Sequence, residues 1–157
     1  MPNGCSLNPD PISYFGATYD FSLEITGNTW CYTVTVTGSP GLSHFIIELC
    51  PTFTANNFLD FSVIVNGESV TPIFEIEEFE INNDPNIIVY GIKFENTVDV
   101  PDGETEGVGE FCFTLNVNAP AVPGDLVVKG GNNDELLQED AICTPGCPPR
   151  RGVYCSL

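Results

Sequence analysis

The side chains in this sequence best able to do chemistry are its seven cysteines, at positions 5, 31, 50, 112, 143, 147 and 155, and its one histidine, His44. A cysteine can act as a nucleophile, bind a metal or oxidise to a disulfide, and its neighbours decide which. A zinc module needs closely paired cysteines with histidine or further cysteine to complete a tetrahedron. The tight group Cys143, Cys147 and Cys155 has no fourth local ligand. His44 and Cys50 fall on the same face of one expected strand. At roughly 3.3 Å per residue they stand about 20 Å apart, too far for a nucleophile–base pair. Oxidation to disulfides is the expected fate, and an odd total leaves at least one cysteine for a free thiol or an intermolecular bond.

Position divides these cysteines. Cys31, Cys50, Cys112 and Cys143 lie in or at the ends of strands. Cys5, Cys147 and Cys155 lie in proline-rich ends. The simplest arithmetic is two bridges within a body and three cysteines that cross-link outward. Four cysteines allow three pairings. Cys31 with Cys112 is favoured because both lie in mid-sheet on a threonine-bearing face, which leaves Cys50 with Cys143. Cys5, Cys147 and Cys155 are then the candidates for disulfides between copies.

Oxygen donors cluster in three loops: Asp99, Asp102, Glu104 and Glu106; residues 82–86; and residues 132–135. Calcium takes six to eight oxygens, and none of these loops follows EF-hand spacing. The four acids of the first loop are weak calcium candidates, and no cofactor is expected. There is no GxSxG, no phosphate-cradling glycine loop and no placeable pair of catalytic carboxylates, so an enzyme is not expected.

The net charge is −18, with only four basic residues, Lys93, Lys129, Arg150 and Arg151. Phosphate recognition draws on clustered Lys and Arg, so nucleic acid and anionic membrane surfaces are poor partners. No apolar run approaches the roughly 18 residues of a membrane-spanning helix. The opening MPNGCSLNPDP has neither the basic nor the apolar region of a signal peptide. The cysteines nonetheless point to an oxidising, extracellular setting.

The elements that position these groups read as strands. In WCYTVTVT, Trp30, Tyr32, Val34 and Val36 share one face, and Cys31, Thr33, Thr35 and Thr37 the other. In FCFTLNV, Phe111, Phe113, Leu115 and Val117 oppose Cys112, Thr114 and Asn116. Tyr19 to Ile25 and Phe45 to Leu49 alternate likewise, and Phe58 to Val65 is a further strand, closed by the tight hairpin turn that Asn66-Gly67 marks. In Val70 to Ile81 the alternation slips near Glu77-Glu78, which predicts a bulge or bend. The expectation is an all-β chain, an antiparallel β-sandwich of jelly-roll or Greek-key type with eight or nine strands. Residues 1–12 form an extended cysteine-bearing arm, 13–142 the sandwich body, and 143–157 a Cys- and Pro-rich tail.

The segments CYTVTV, GLSHFIIELCP, GIKFE, EFCFTLN, LVVKGG and the IC before the tail, spanning roughly residues 30–144, resemble a small β-sandwich domain of Gram-positive surface and spore-associated proteins. That domain commonly reads YTVTV, LSHW or LSHF, LELC, GIKF and VKAG in this order. The layout of a jelly-roll body with cysteines at both ends is also similar to subunits of endospore appendage fibres, whose arms are disulfide-bonded to neighbours. The resemblance implies a structural subunit, with copies of itself as partners in a disulfide-cross-linked extracellular fibre. The alternative is a monomeric surface module that recognises a glycan or a protein.

Overall fold

The computed structural model describes residues 4–149. Eleven strands form two antiparallel sheets: β1 (Ile12–Tyr14), β2 (Ala17–Thr26), β3 (Thr29–Gly38), β4 (His44–Glu48), β5 (Phe58–Val65), β6 (Glu68–Val70), β7 (Phe74–Glu80), β8 (Ile88–Phe94), β9 (Glu106–Leu115), β10 (Ala121–Lys129) and β11 (Leu136–Pro145). One sheet runs β1-β2-β3-β9-β5-β6 and the other β11-β10-β4-β8-β7. This is the all-β sandwich the alternation predicts, with more strands than expected because a short strand precedes the first expected one and a later segment divides. The YFGA turn sets a short β1 ahead of the first expected strand, which is β2.

The segment 70–81 divides between the sheets. Asn66 and Gly67, both at positive φ, close the β5–β6 hairpin. The chain then leaves the first sheet and enters the second as β7. The Asn96 side chain holds this crossing by accepting from the Ile73 amide at 2.8 Å and donating to the Thr71 carbonyl at 2.9 Å. The expected bulge at Glu77-Glu78 is absent, and β7 pairs β8 without a break from Phe74 to Glu80. Two apolar clusters account for the apparent slip. Phe74 and Ile76 pack on the main core, whereas Phe79 packs on a second cluster behind the sheet.

The main core lies between the sheets. Trp30, Tyr32, Val34, Phe111, Phe113 and Leu115 are all buried in it. Phe45, Phe94 and Phe111 meet at its centre with ring centroids 4.8–5.4 Å apart. The second cluster joins Ile46, Val89 and Val127 under Ile81, on the outer face of the second sheet. Ile46 lies opposite Phe45 and Ile47 as expected, yet it is fully buried, because the connection after β7 folds back over that face.

The terminal segments are packed rather than extended outward. The Ser6 carbonyl accepts from the Cys143 amide of β11, and the Leu7 carbonyl from the Leu23 amide of β2, both at 2.8 Å. The arm therefore closes one side of the sandwich between the two sheets. β11 runs to Pro145, past the expected end of the body at 142.

Candidate functional site

Three disulfides join six of the seven cysteines: Cys31–Cys112, Cys5–Cys143 and Cys50–Cys147. Cys31 and Cys112 are direct cross-strand partners of β3 and β9, on the outer face that also carries Thr33 and Thr114. The other two pairings differ from the expectation. Cys143 is taken by Cys5, not by Cys50, because the arm lies along β11. Cys50 is taken by Cys147, which follows the end of β11. Cys5 and Cys147, expected to bridge between copies, are thus staples within one chain. Cys155 lies outside the described residues. With Cys143 and Cys147 in separate bridges, the tail triad cannot form a zinc site, and a bonded Cys50 cannot act as a nucleophile.

The calcium candidates Asp99, Asp102, Glu104 and Glu106 are not drawn together. No cluster of three or more His, Cys, Asp or Glu able to hold a metal exists among the described residues. The Asp99 carbonyl instead accepts from the Asn66 side chain at 3.0 Å, fixing the loop to the β5–β6 turn.

The other two oxygen-rich loops do meet. Glu135 accepts from the Asn82 amide at 2.9 Å. Its own amide donates to the Asn82 side chain at 2.6 Å, and its carbonyl accepts from Asn82 Nδ2 at 2.9 Å. The Glu135 carboxylate also pairs with His44 Nε2 at 2.9 Å. These hydrogen bonds, His44 first, hold its pKa below the usual carboxylate value against the opposing effect of burial. Asn82 and Asn83 both take positive φ, a conformation asparagine tolerates.

This clasp walls a recess of about 370 Å³ on the outer face of the second sheet. Its floor comes from register. His44 of β4 stands opposite Lys129 of β10, and Ile46 stands opposite Lys93 of β8. Alternation thus brings Lys93, His44 and Lys129 to one face of three neighbouring strands. Lys93 lies over the Phe79 ring at 5.3 Å. A second recess of about 270 Å³ shares Asp134 and Glu135 with the first and is bordered by Tyr14 and Phe15. Sequence reading noticed both asparagine-rich loops and His44 but not this convergence, since residue spacing carries no register between distant strands.

Fold and bridges together define a disulfide-stapled all-β sandwich. The chain matches no family model, no curated protein and no solved structure. Its three disulfides are compatible with an oxidising location, and no helix among the described residues is long and apolar enough to cross a membrane.

Proposed function

We propose that the chain is a structural subunit that self-assembles outside the cytoplasm, in a fibre or coat of a spore or cell surface. The observation that carries this reading is the use of its cysteines. Six are spent as staples inside one body, and Cys155 remains with every other thiol taken. One remaining cysteine links copies only in pairs, so continued growth requires a non-covalent contact. The edge strand β7 supplies a candidate. Among the described residues it pairs only with β8, whereas β1 and β6 are three residues each and the arm covers part of β11. An unpaired strand edge is a template for strand addition. Glu75, Glu77, Glu78 and Glu80 oppose that contact until their charge is screened.

The test combines non-reducing and reducing electrophoresis with light scattering across salt concentrations. The expected result is a covalent dimer that disappears in Cys155→Ser, and larger assemblies that grow as salt or Ca²⁺ rises in both forms. A chain that stays monomeric at every salt concentration, or a dimer that persists in Cys155→Ser, overturns the proposal. A second reading, a surface module that binds a ligand, is favoured by the recess over β4, β8 and β10.

A further inference from the structure

We propose that this recess, together with Phe15 beside it, is a binding site for an acidic saccharide, a sugar bearing a carboxylate. The site belongs to the single chain and stands whether or not copies assemble. The first observation is the placement of positive charge. Lys93, Lys129 and His44 are all the side chains among the described residues that can carry it, and all three line one recess of a chain whose net charge is −18. Solvated surface lysines have no reason to converge in this way.

Their charge is only partly spent. His44 is engaged by Glu135 at 2.9 Å, but Lys93 reaches Glu95 only at 3.9 Å. Lys129 Nζ donates to the Gly131 carbonyl at 2.9 Å and has no carboxylate partner among the described residues. A carboxylate between the two ammonium groups would gain charge-assisted hydrogen bonds. Asn83 and Asn132 add amide donors and acceptors, and Glu80 and Asp134 add acceptors, the mixture that sugar hydroxyls require. The same acids oppose a dianionic phosphate, which favours a singly charged ligand.

Phe15 is the second, independent observation. It is 73% exposed and has φ 54° in the two-residue turn between β1 and β2. Glycine is the natural residue at that position of such a turn. A bulky aromatic is held there against backbone preference, its ring edge against Tyr14 at 4.9 Å and most of its surface left in solvent. Its neighbour Tyr14 donates its hydroxyl to the Asp134 carbonyl, tying the turn to the wall that the two recesses share. The exposed ring is a platform for the apolar face of a second sugar, while the carboxylate-bearing sugar occupies the lysine-floored recess. The volume of about 370 Å³ falls in the range of small-molecule sites.

The experiment titrates trigalacturonic acid, its methyl ester and 3′-sialyllactose into the full isotope-labelled chain at low salt, where light scattering confirms a monomer. Amide shifts by NMR are the readout. The expected result is saturable shifts around Phe15, Lys93 and Lys129 with at least one acidic probe, and the two acids separate a uronate from a sialate ligand. Affinity should fall about tenfold for the methyl ester and for each of Lys93→Gln and Lys129→Gln. Phe15→Gly should weaken binding while leaving the melting temperature unchanged or raised, which separates lost stacking from lost folding. No saturable shift with either acid, equal affinity for acid and ester, or full affinity in the double lysine variant overturns the proposal. Because each sample is monomeric, none of these outcomes bears on assembly.

Discussion

Single residues here hold distant segments together through buried polar atoms. Tyr32 is fully buried and donates to the Cys143 carbonyl at 2.8 Å, and burial raises its pKa well above the usual phenol value. Tyr19 donates to the Pro40 and Gly41 carbonyls at 2.9 and 3.0 Å. Trp30 is 2% exposed between the sheets, so Trp30→Ala should cost about 3–5 kcal/mol by chemical denaturation, with blue-shifted native fluorescence as the control. Two carboxylates should shape the pH dependence in opposite senses. Glu135 has a folded pKa below its unfolded value, so its stabilisation is present above the unfolded pKa and is lost as pH falls through the folded one. Glu48 is raised, first by burial and also by the nearby Asp125 and Asp140 carboxylates, although the Asp125 amide donates to it. Its stabilisation is present below the unfolded pKa and is lost as pH rises through the folded one. Denaturation curves across the acid range should therefore show Glu135→Gln destabilising by about 1–3 kcal/mol at neutral pH. Glu48→Gln should be neutral or stabilising there. The same loss for both variants at neutral pH would refute the assignment.

At the scale of elements, each bridge fastens a different kind of contact. Cys31–Cys112 reinforces a strand pair that already has a full ladder from Thr29 to Thr37. Cys5–Cys143 instead fastens the arm to β11, and Cys50–Cys147 ties the segment after β4 to the segment after β11, at sequence separations of 138 and 97. Bridges that close long loops restrict the unfolded chain most, typically by about 2–5 kcal/mol. Replacing Cys31 and Cys112 by serine should lower stability and leave the native amide-exchange pattern intact. Replacing Cys5 and Cys143 should lower stability and also deprotect the Leu23 and Cys143 amides, whose acceptors lie in the arm. Unchanged protection at those two amides would mean that the arm is held by its backbone contacts alone.

For the whole molecule, charge decides how copies meet. A chain with 22 acidic residues and four basic ones repels itself, and the repulsion is shortened to about 8 Å at physiological ionic strength. If growth proceeds at the β7 edge, a Glu75→Gln, Glu77→Gln variant should reach a given scattering intensity at lower salt than the parent chain. Identical salt curves would place the contact elsewhere. The same acidity makes the meeting of Lys93, Lys129 and His44 in one recess conspicuous, where they stand among Glu80, Asp134 and Glu135.

The sequence by itself determined what depends on a residue and its neighbours. Period-two alternation defined the faces of β2, β3 and β9, and Asn66-Gly67 the β5–β6 turn, because side-chain direction and turn geometry are local properties. The Cys31–Cys112 bridge was legible for the same reason, as two cysteines on matching faces of two central strands. Tertiary structure alone decided which strands became neighbours and in what register. That register brought Lys93, His44 and Lys129 to one face and set Asn82 against Glu135. It also decided that the arm folds along β11, which turned Cys5 from a candidate link between copies into an internal staple. The division of the segment 70–81 between two sheets came from packing as well: two apolar clusters on opposite faces of one sheet claimed Phe74, Ile76 and Phe79, a distinction that alternation along one strand cannot encode.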